Sequence, residues 1–275
     1  MVITADDFGL APEVNEAVEA AFSNGILTAA SLMVSGPAAA DAVARACRLP
    51  QLRVGLHIVL IDGRPVLPPE RVPDLVDAGG RFRRGMVQLG AEMVVRRTIR
   101  NQIAAEIDAQ YAAFRATGLA LDHVNAHKHF HLHPAVAGAI ITIGRHYGLA
   151  GLRVPSEPRW VLKTVEPHSH SSPTWITAPW ARLLSRTARR SGLQTPDSVF
   201  GLAWSGAMTA ARLTGLLRQL PKGRTEIYLH PATRDDFPGH APGYRYCEEL
   251  AALTAPAAIA TARSGDLALG GYAHF

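Results

Sequence analysis

Short apolar runs alternate with longer segments of helical periodicity along this chain of 275 residues. The clearest helical pattern covers residues 94–117, where apolar side chains recur at helical spacing, at Ile99, Ile103, Ile107, Tyr111 and Phe114. Further helices are predicted at about 12–24, 38–48, 134–146 and 209–220. Strands are predicted at about 1–5, 29–34, 53–57, 121–125, 152–154, 198–202 and 225–229, and a loop rich in Pro, Gly and Arg at about 61–85.

The order of these elements predicts an α/β fold. Strands that alternate with helices form a parallel sheet with helical crossovers, and the chain length suits a (β/α) barrel of the TIM type. In such a barrel the carboxyl ends of the strands converge on the active site. Five polar side chains lie at or just after predicted strand ends and are expected to meet on one face: Asp6, Asp7, His57, His127 and His230.

A histidine-rich run follows the fourth predicted strand. Alternate positions from 123 to 133 hold His123, Asn125, His127, His129, His131 and His133. Neutral imidazole is a common metal ligand, and alternate residues of an extended segment face the same way. We therefore expect the five histidines to present to one side. The alternative is a hydrophilic turn before a helix that begins at Pro134.

Two adjacent carboxylates follow the first predicted strand, in the stretch TADDFG at positions 4–9. Because neighbouring strand residues point in different directions, one carboxylate could bind a metal while the other stays free as a base. Gly9 suits the tight turn that would follow. The alternative is an acidic pair that satisfies free N–H groups at the start of the next helix.

Composition narrows the class of protein. Hydrophobic residues make up 48% of the chain, and we expect one domain over residues 1–275 with a substantial core. The net charge of +5 is modest and no recognition module is visible, so no nucleic acid partner is predicted. The two cysteines, Cys47 and Cys247, favour a reducing compartment and exclude a thiolate zinc site. Without a signal peptide or a bilayer-length apolar stretch, the predicted location is cytoplasmic.

The segment at about 156–196 differs from the rest of the chain and is predicted to be an insertion. It interleaves Trp160, Trp175 and Trp180 with apolar residues, and four arginines follow, at positions 182, 186, 189 and 190. Tryptophan and arginine beside an amphipathic helix are typical of an interfacial patch. We therefore predict peripheral contact with the inner face of a membrane. The alternative is that the apolar side chains pack on the barrel and the arginines form a solvated face.

Four motifs together resemble the YdjC-like carbohydrate deacetylases. They are TADDFG at 4–9, GLH at 55–57, H-x-N-x-H-x-H at 123–129 and LHP at 229–231, in the order and spacing of that family over nearly the whole chain. The stretch DHVNAHKHFHLHP followed by LRVPSEP is similar to the hopanoid-associated branch. Two positions depart from the family pattern, which often has Asp at Asn125 and Gly at Ala232.

The resemblance implies a distorted (β/α) barrel that removes N-acetyl groups from amino sugars with one divalent metal ion. By motif, the metal ligands would be Asp7, His57 and His127, the general base Asp6 and the general acid His230. One carboxylate and two imidazoles favour zinc, although cobalt, nickel, manganese, iron or magnesium stay open. Family members are often dimers, so a homodimer is an expectation.

Five further candidates lie in or near these motifs. His129 and His131 would orient ligands or substrate, or else fill the turn, and Asn125 would lie beside the metal ligands. Arg153 and Glu157 would line the pocket or pair with each other. The branch resemblance implies an N-acetylglucosaminyl-hopanoid glycolipid as substrate. Three alternatives remain: a deacetylase of soluble chito-oligosaccharides, another amide hydrolase acting on a longer acyl chain, and a metal- or sugar-binding barrel without turnover.

Overall fold

The computed structural model describes residues 1–83, 85–167, 174–264 and 267–275. The strands are β1 (Val2–Phe8), β2 (Ala29–Leu32), β3 (Arg53–Ile58), β4 (Val124–Ala126), β5 (Ser198–Phe200) and β6 (Thr225–Leu229). Among the described residues these six strands form one parallel sheet in the spatial order β4-β3-β2-β1-β6-β5. The sheet curls into half of a barrel, so the predicted α/β class with a distorted TIM-like barrel is confirmed.

Helices connect the strands and cover the sheet. They are α1 (Pro12–Asn24), α2 (Ala39–Arg48), α3 (Met86–Val95), α4 (Arg97–Ala116), α5 (Pro134–Gly144), α6 (Arg159–Val165), α7 (Thr174–Arg190), α8 (Ala210–Gln219), α9 (Tyr246–Thr254) and α10 (Pro256–Ala262). The predicted apolar stripe of α4 is buried at all five positions. The single helix predicted over 94–117 is wrong at its start, because Arg96 is extended (φ −105°, ψ 105°) and separates α3 from α4.

The strand predicted at 152–154 does not form. Gly151 and Leu152 make only isolated bridges, to Gln194 and Val124. Pro155 follows closely and has no amide hydrogen with which to continue a ladder. The strand predicted at 198–202 ends at Phe200, since the next residue, Gly201, has a φ of +125°.

Polar residues of α4 hold the loop that leaves β3. Glu106 accepts hydrogen bonds from the backbone N–H groups of Val66 (2.8 Å) and Leu67 (3.0 Å). Gln110 bonds both the N–H group (2.9 Å) and the carbonyl (2.6 Å) of Val59. These buried contacts satisfy backbone groups that leave the ladder and fix the loop beside the carboxyl end of β3.

The helices between the strands bear on whether the chain could cross a membrane. In the parts of the chain that the structure describes, no helix is both long and apolar enough to cross a bilayer. The predicted insertion supplies α6 and α7 between β4 and β5, while residues 168–173 and the side chain of Trp175 lie outside what is described.

Candidate metal centre and active site

Three side chains converge where β1, β3 and β4 end. Asp7 belongs to β1, His57 to β3, and His127 follows β4 directly. The Asp7 Oδ1 atom lies 3.2 Å from His57 Nε2 and 3.1 Å from His127 Nδ1. One ligand atom from each residue lies within 4.8 Å of the other two. The expectation that these strand ends meet on one face is therefore met for this cluster, which could hold a metal ion.

An irregularity in β1 separates the two adjacent carboxylates. The pairing of β1 with β2 shifts register between Ala5 and Phe8, and Asp7 has a φ of +61°. A non-glycine residue in this conformation is uncommon, and strained residues of this kind cluster at functional sites. The bulge directs Asp7 towards the two imidazoles, while Asp6 meets a different set of partners. Gly9, at φ +95°, makes the turn predicted from its lack of a side chain.

The tautomer of His57 fits a metal ligand. His57 Nδ1 lies 2.6 Å from Asn125 Oδ1. Because an amide oxygen can only accept a hydrogen bond, His57 Nδ1 carries the proton and donates it. This leaves a lone pair on His57 Nε2, which is buried and has no hydrogen bond from any described residue. Lone pairs of His57 and Asp7 thus face each other at 3.2 Å. A cation between them would remove the repulsion, and one carboxylate with two imidazoles suits zinc and other divalent transition metals.

Asp6 is held as a carboxylate at the floor of the site. The Arg153 guanidinium donates to both of its oxygens, at 2.5 and 3.0 Å, and Asn125 Nδ2 donates to Oδ1 at 3.2 Å. Burial by itself would raise the pKa of Asp6, but the charge and hydrogen bonds of Arg153 outweigh burial and hold that pKa below its usual range. Asp6 therefore remains ionised beside the candidate metal ligands.

Arg153 lies beneath the site and does not pair with Glu157, so that predicted pairing is wrong. Its second carboxylate partner is Glu226, which accepts from Nε at 3.0 Å and from Nη2 at 2.7 Å. Glu226 also accepts from the hydroxyls of Thr4 (2.7 Å) and Tyr272 (2.6 Å). Arg153 does not line the cleft either, because it is fully buried. The buried Arg153 guanidinium therefore donates hydrogen bonds to two carboxylates, those of Asp6 and Glu226.

Glu157 also lies away from the cleft, which corrects the other interpretation of this residue. Its carboxylate accepts from the backbone N–H groups of Gly201, Leu202 and Ala203, at 3.0, 3.1 and 3.0 Å. Burial raises the pKa of Glu157 to about 7, and these hydrogen bonds oppose the shift. Glu157 therefore shapes the loop after β5, whose Leu202 reaches the cleft.

The histidine run does not present to one side, so the extended interpretation is wrong. After β4 the chain forms a tight turn at His127–Leu132, with Lys128 and His129 at positive φ. The turn leaves His127 and His129 in the cleft. His131 Nε2 bonds the Arg153 carbonyl at 3.0 Å, and burial lowers the pKa of His131 to about 3. His133 caps α5 by accepting from the Ala135 N–H group at 3.3 Å.

His230 follows β6 and reaches the same cleft. Its backbone N–H group bonds the buried Glu249 carboxylate, and its Nδ1 atom lies 4.0 Å from Glu249 Oε2 without forming a hydrogen bond. The imidazole meets Tyr228 and Tyr244 edge-on, with ring centroids 5.6 and 5.2 Å apart. His230 is thus held by its backbone and its ring contacts, while its side-chain nitrogen atoms have no protein hydrogen bond within the described residues.

Sequence reasoning missed two residues of β6. Glu226 holds Arg153, and the Tyr228 hydroxyl lies 2.9 Å from His129 Nε2 while its ring stacks on the Arg153 guanidinium at 4.6 Å. The signal was present, because Glu226, Tyr228 and His230 occupy alternate positions and so face one side. A charged residue inside an otherwise apolar strand indicates a buried partner.

The candidate metal ligands, Asp6 and His230 line one cleft of about 1240 Å³. Its lining includes Asp6, Asp7, His57, His127, His129, Tyr228 and His230, together with parts of the loops after β2, β3 and β6. Typical sites for small ligands measure about 300–1,000 Å³. The fold and this site define a half-barrel protein with a candidate metal centre at the carboxyl ends of its strands.

The model of the YdjC-like protein family matches residues 1–263, and the chain belongs to that family. A carbohydrate deacetylase of Geobacillus stearothermophilus is 34% identical over 265 residues, which cover 94% of this chain and 91% of that protein. A carbohydrate deacetylase of Homo sapiens is 30% identical, over 93% of this chain and 84% of that protein.

The fold has a match among solved structures. The crystal structure of an Enterococcus faecalis protein, described as a candidate cellobiose-phosphate cleavage protein, superposes with a TM-score of 0.77. It is 24% identical and covers 99% of this chain and 97% of that one. The half-barrel is therefore shared over the whole length of both chains.

Proposed function

We propose that this protein is a metal-dependent carbohydrate N-deacetylase. The observation that carries the proposal is the cluster of Asp7, His57 and His127 at the cleft floor, with the ionised Asp6 beside it and His230 in the same cleft. The curated relatives are carbohydrate deacetylases and match nearly the full chain, which supports the same chemistry here. One divalent ion is expected, with zinc favoured by the donor set.

The chain's own residues supply the proton transfers. Asp6, held charged by Arg153, accepts the proton of the attacking water, and His230 donates a proton to the departing nitrogen as the C–N bond breaks. Acetate and a free amine are the products. When bound by Asp7, His57 and His127, a divalent ion would lower the pKa of water and polarise the amide carbonyl. His129 and the Tyr228 hydroxyl, also in the cleft, would contact the sugar.

The substrate we favour is an N-acetylglucosaminyl glycolipid of the hopanoid type. Exposed apolar side chains support a lipid-facing surface: Trp180 and Leu183 on α7 are 49% and 45% exposed, and Trp160 on α6 is 59% exposed. Helix α7 reaches the cleft through Thr177 and also exposes the nearby Arg182. This arrangement suits a peripheral enzyme at the cytoplasmic face of a membrane. Leu184 and Ala181, by contrast, are buried and anchor α7 on the fold.

A deacetylase of soluble chito-oligosaccharides is the second candidate, because the cleft is larger than one sugar needs. A binding protein without turnover is the third.

The test is release of acetate and free amine from an N-acetylglucosaminyl-hopanoid in detergent, run beside diacetylchitobiose, each with and without a chelator. Chelator-sensitive release from the lipid alone supports the full proposal. Release from the sugar alone rejects the lipid, and no release from either by metal-loaded protein rejects the deacetylase.

Replacing exposed tryptophans separates the lipid surface from the chemistry. Trp180→Ser should weaken binding to vesicles that contain anionic lipid and slow turnover of the lipid substrate only, because the side chain lies outside the cleft lining. Trp204→Phe is a matched control, since Trp204 is buried. Equal vesicle binding by wild type and Trp180→Ser would reject membrane contact through α7. Gel filtration with light scattering tests the expected homodimer.

A further inference from the structure

A chain of buried hydrogen bonds leads away from the candidate metal centre towards the other end of β4. It runs from His57 to Asn125, then to Ser31 on β2, to His123, and ends at Asp122. The four nitrogen–oxygen distances along it are 2.6, 2.9, 3.0 and 3.0 Å. Ser31, His123 and Asn125 are fully buried, so none of them can contact a substrate.

Each bond in this chain has one direction that satisfies both partners. Asp122 is an acceptor, because its Oδ2 atom also accepts from the Tyr272 N–H group at 3.1 Å, so His123 Nδ1 donates to it. The Ser31 oxygen accepts from Asn125 Nδ2, so the hydrogen of the Ser31 hydroxyl is left for His123 Nε2, which accepts it. The amide of Asn125 is thereby oriented with its oxygen towards His57.

A second contact fixes the same orientation of Asn125. Its Nδ2 group also donates to the Asp6 carboxylate at 3.2 Å, and a carboxylate can only accept. Both hydrogens of the amide are therefore used, one on Asp6 and one on Ser31. An aspartate at this position could donate to neither, which gives the departure from the common family residue a structural role.

The surroundings hold His123 in one ring orientation. Its imidazole stacks on Tyr272, with centroids 4.7 Å apart and planes 14° from parallel. On the other side lies Gly55, where an added Cβ atom would come within 2.5 Å of the ring. The glycine of the GLH stretch is thus required for the ring to pack against β3, and the Tyr272 N–H group in turn donates to Asp122 at 3.1 Å.

We propose that Asp122, His123 and Ser31 are positioning residues that set the tautomer of His57. By orienting Asn125, they keep the proton of His57 on Nδ1 and its lone pair on Nε2, where the candidate metal would bind. The inference rests on the metal site of the proposed function. Residues that orient a metal ligand commonly contribute about 10–100-fold to metal affinity.

The first test is the tautomer itself, measured by ¹⁵N NMR on metal-free wild-type protein labelled at histidine, with His123 and His57 assigned by single substitutions. We expect Nδ1–H with an unprotonated Nε2 at His123, and a protonated Nδ1 at His57. A proton on Nε2 of His123 would overturn the proposed direction of the chain. This measurement needs no variant to bind metal and does not depend on the activity.

The second test is zinc affinity, measured by competition with a chelator. Ser31→Ala should lower the affinity about tenfold, the low end of the range for such partners, and should shift the His57 ¹⁵N signals towards a mixture of tautomers. Asp122→Asn, which keeps the shape of the side chain, should act in the same direction. Thr195→Val is the control, because the Thr195 hydroxyl is buried but has no hydrogen-bond partner within the described residues.

The outcomes separate the two proposals. If wild type binds zinc and Ser31→Ala binds it as tightly as Thr195→Val does, the positioning role of Asp122, His123 and Ser31 is rejected. The metal site of the proposed function is then retained. If wild type does not bind zinc, the metal site of the proposed function is rejected. The NMR result at His123 then still decides the direction of the hydrogen bonds between Asp122 and His57. Thermal melting identifies any variant that fails to fold, in which case the wild-type NMR result decides.

Discussion

Two layers of polar residues meet in this protein and differ in how completely they are satisfied. At the cleft floor, ring nitrogens of His57, His129 and His230 are buried and lack a hydrogen-bond partner among the described residues. Directly beneath, Arg153 and Glu226 satisfy each other and their neighbours. Buried polar groups are normally paired, so unpaired ring nitrogens that face an open cleft are available to a ligand. The lower layer therefore supports the site, and the upper layer is where we propose that a metal and a substrate bind.

The largest effect should follow from removing an upper-layer ligand. His127→Ala should weaken zinc affinity by more than the ~10–100-fold that loss of an orienting partner costs, and activity should fall to background. Chelator titration and acetate release measure the two effects. His133→Ala is the matched control from the same histidine run, because His133 caps α5 and does not line the cleft. Equal metal affinity in the two variants would contradict the ligand assignment.

Replacing the carboxylate at the boundary of the layers should separate turnover from metal binding. Asp6→Asn should lower kcat by about 10²–10⁴, the usual contribution of a general base, while zinc content remains that of wild type. Steady-state kinetics and metal analysis on the same sample are the measurement. A variant that keeps its kcat would remove Asp6 from the chemistry, and a binding protein would show no difference at all.

Breaking the lower layer should cost stability. Glu226→Gln removes the charge of a carboxylate that accepts two hydrogen bonds from the fully buried Arg153. Because Asp6 still balances the guanidinium, we expect the loss of charge-assisted hydrogen bonds alone, about 2 kcal/mol in the free energy of unfolding. Urea denaturation measures it. Thr4→Val is the control, because it removes only one hydrogen bond to the same carboxylate and should cost about 1 kcal/mol. Equal losses in the two variants would mean that the charge of Glu226 is not needed.

The smallest effect is expected for His230, the cleft histidine that we propose as the general acid and not as a metal ligand. His230→Gln should lower kcat by about 10² and leave zinc affinity unchanged, because in our proposal His230 donates a proton and is not a metal ligand. Kinetics at saturating substrate, with zinc titration in parallel, distinguish it from the metal ligands. A fall in zinc affinity similar to that of His127→Ala would place His230 among the ligands instead.

Sequence patterning was most successful where local and tertiary preferences agree. The apolar stripe of α4 and the strand ends at Asp7 and His57 followed from periodicity, because a buried face repeats with the period of its own element. Patterning failed at the histidine run. Alternation predicted an extended segment, yet positive φ at Lys128 and His129 turns the chain and sends His131 beneath the cleft.

The sequence by itself determined the α/β class, the family, and the three side chains that could hold a metal, since these depend on short motifs at strand ends. Only the tertiary structure decided the partners of Arg153 and the role of Asn125. Those partners lie up to 147 positions apart in the chain. A charged side chain that folding buries pairs with the opposite charges that the curled sheet places next to it. No local pattern in the sequence specifies which residues those are.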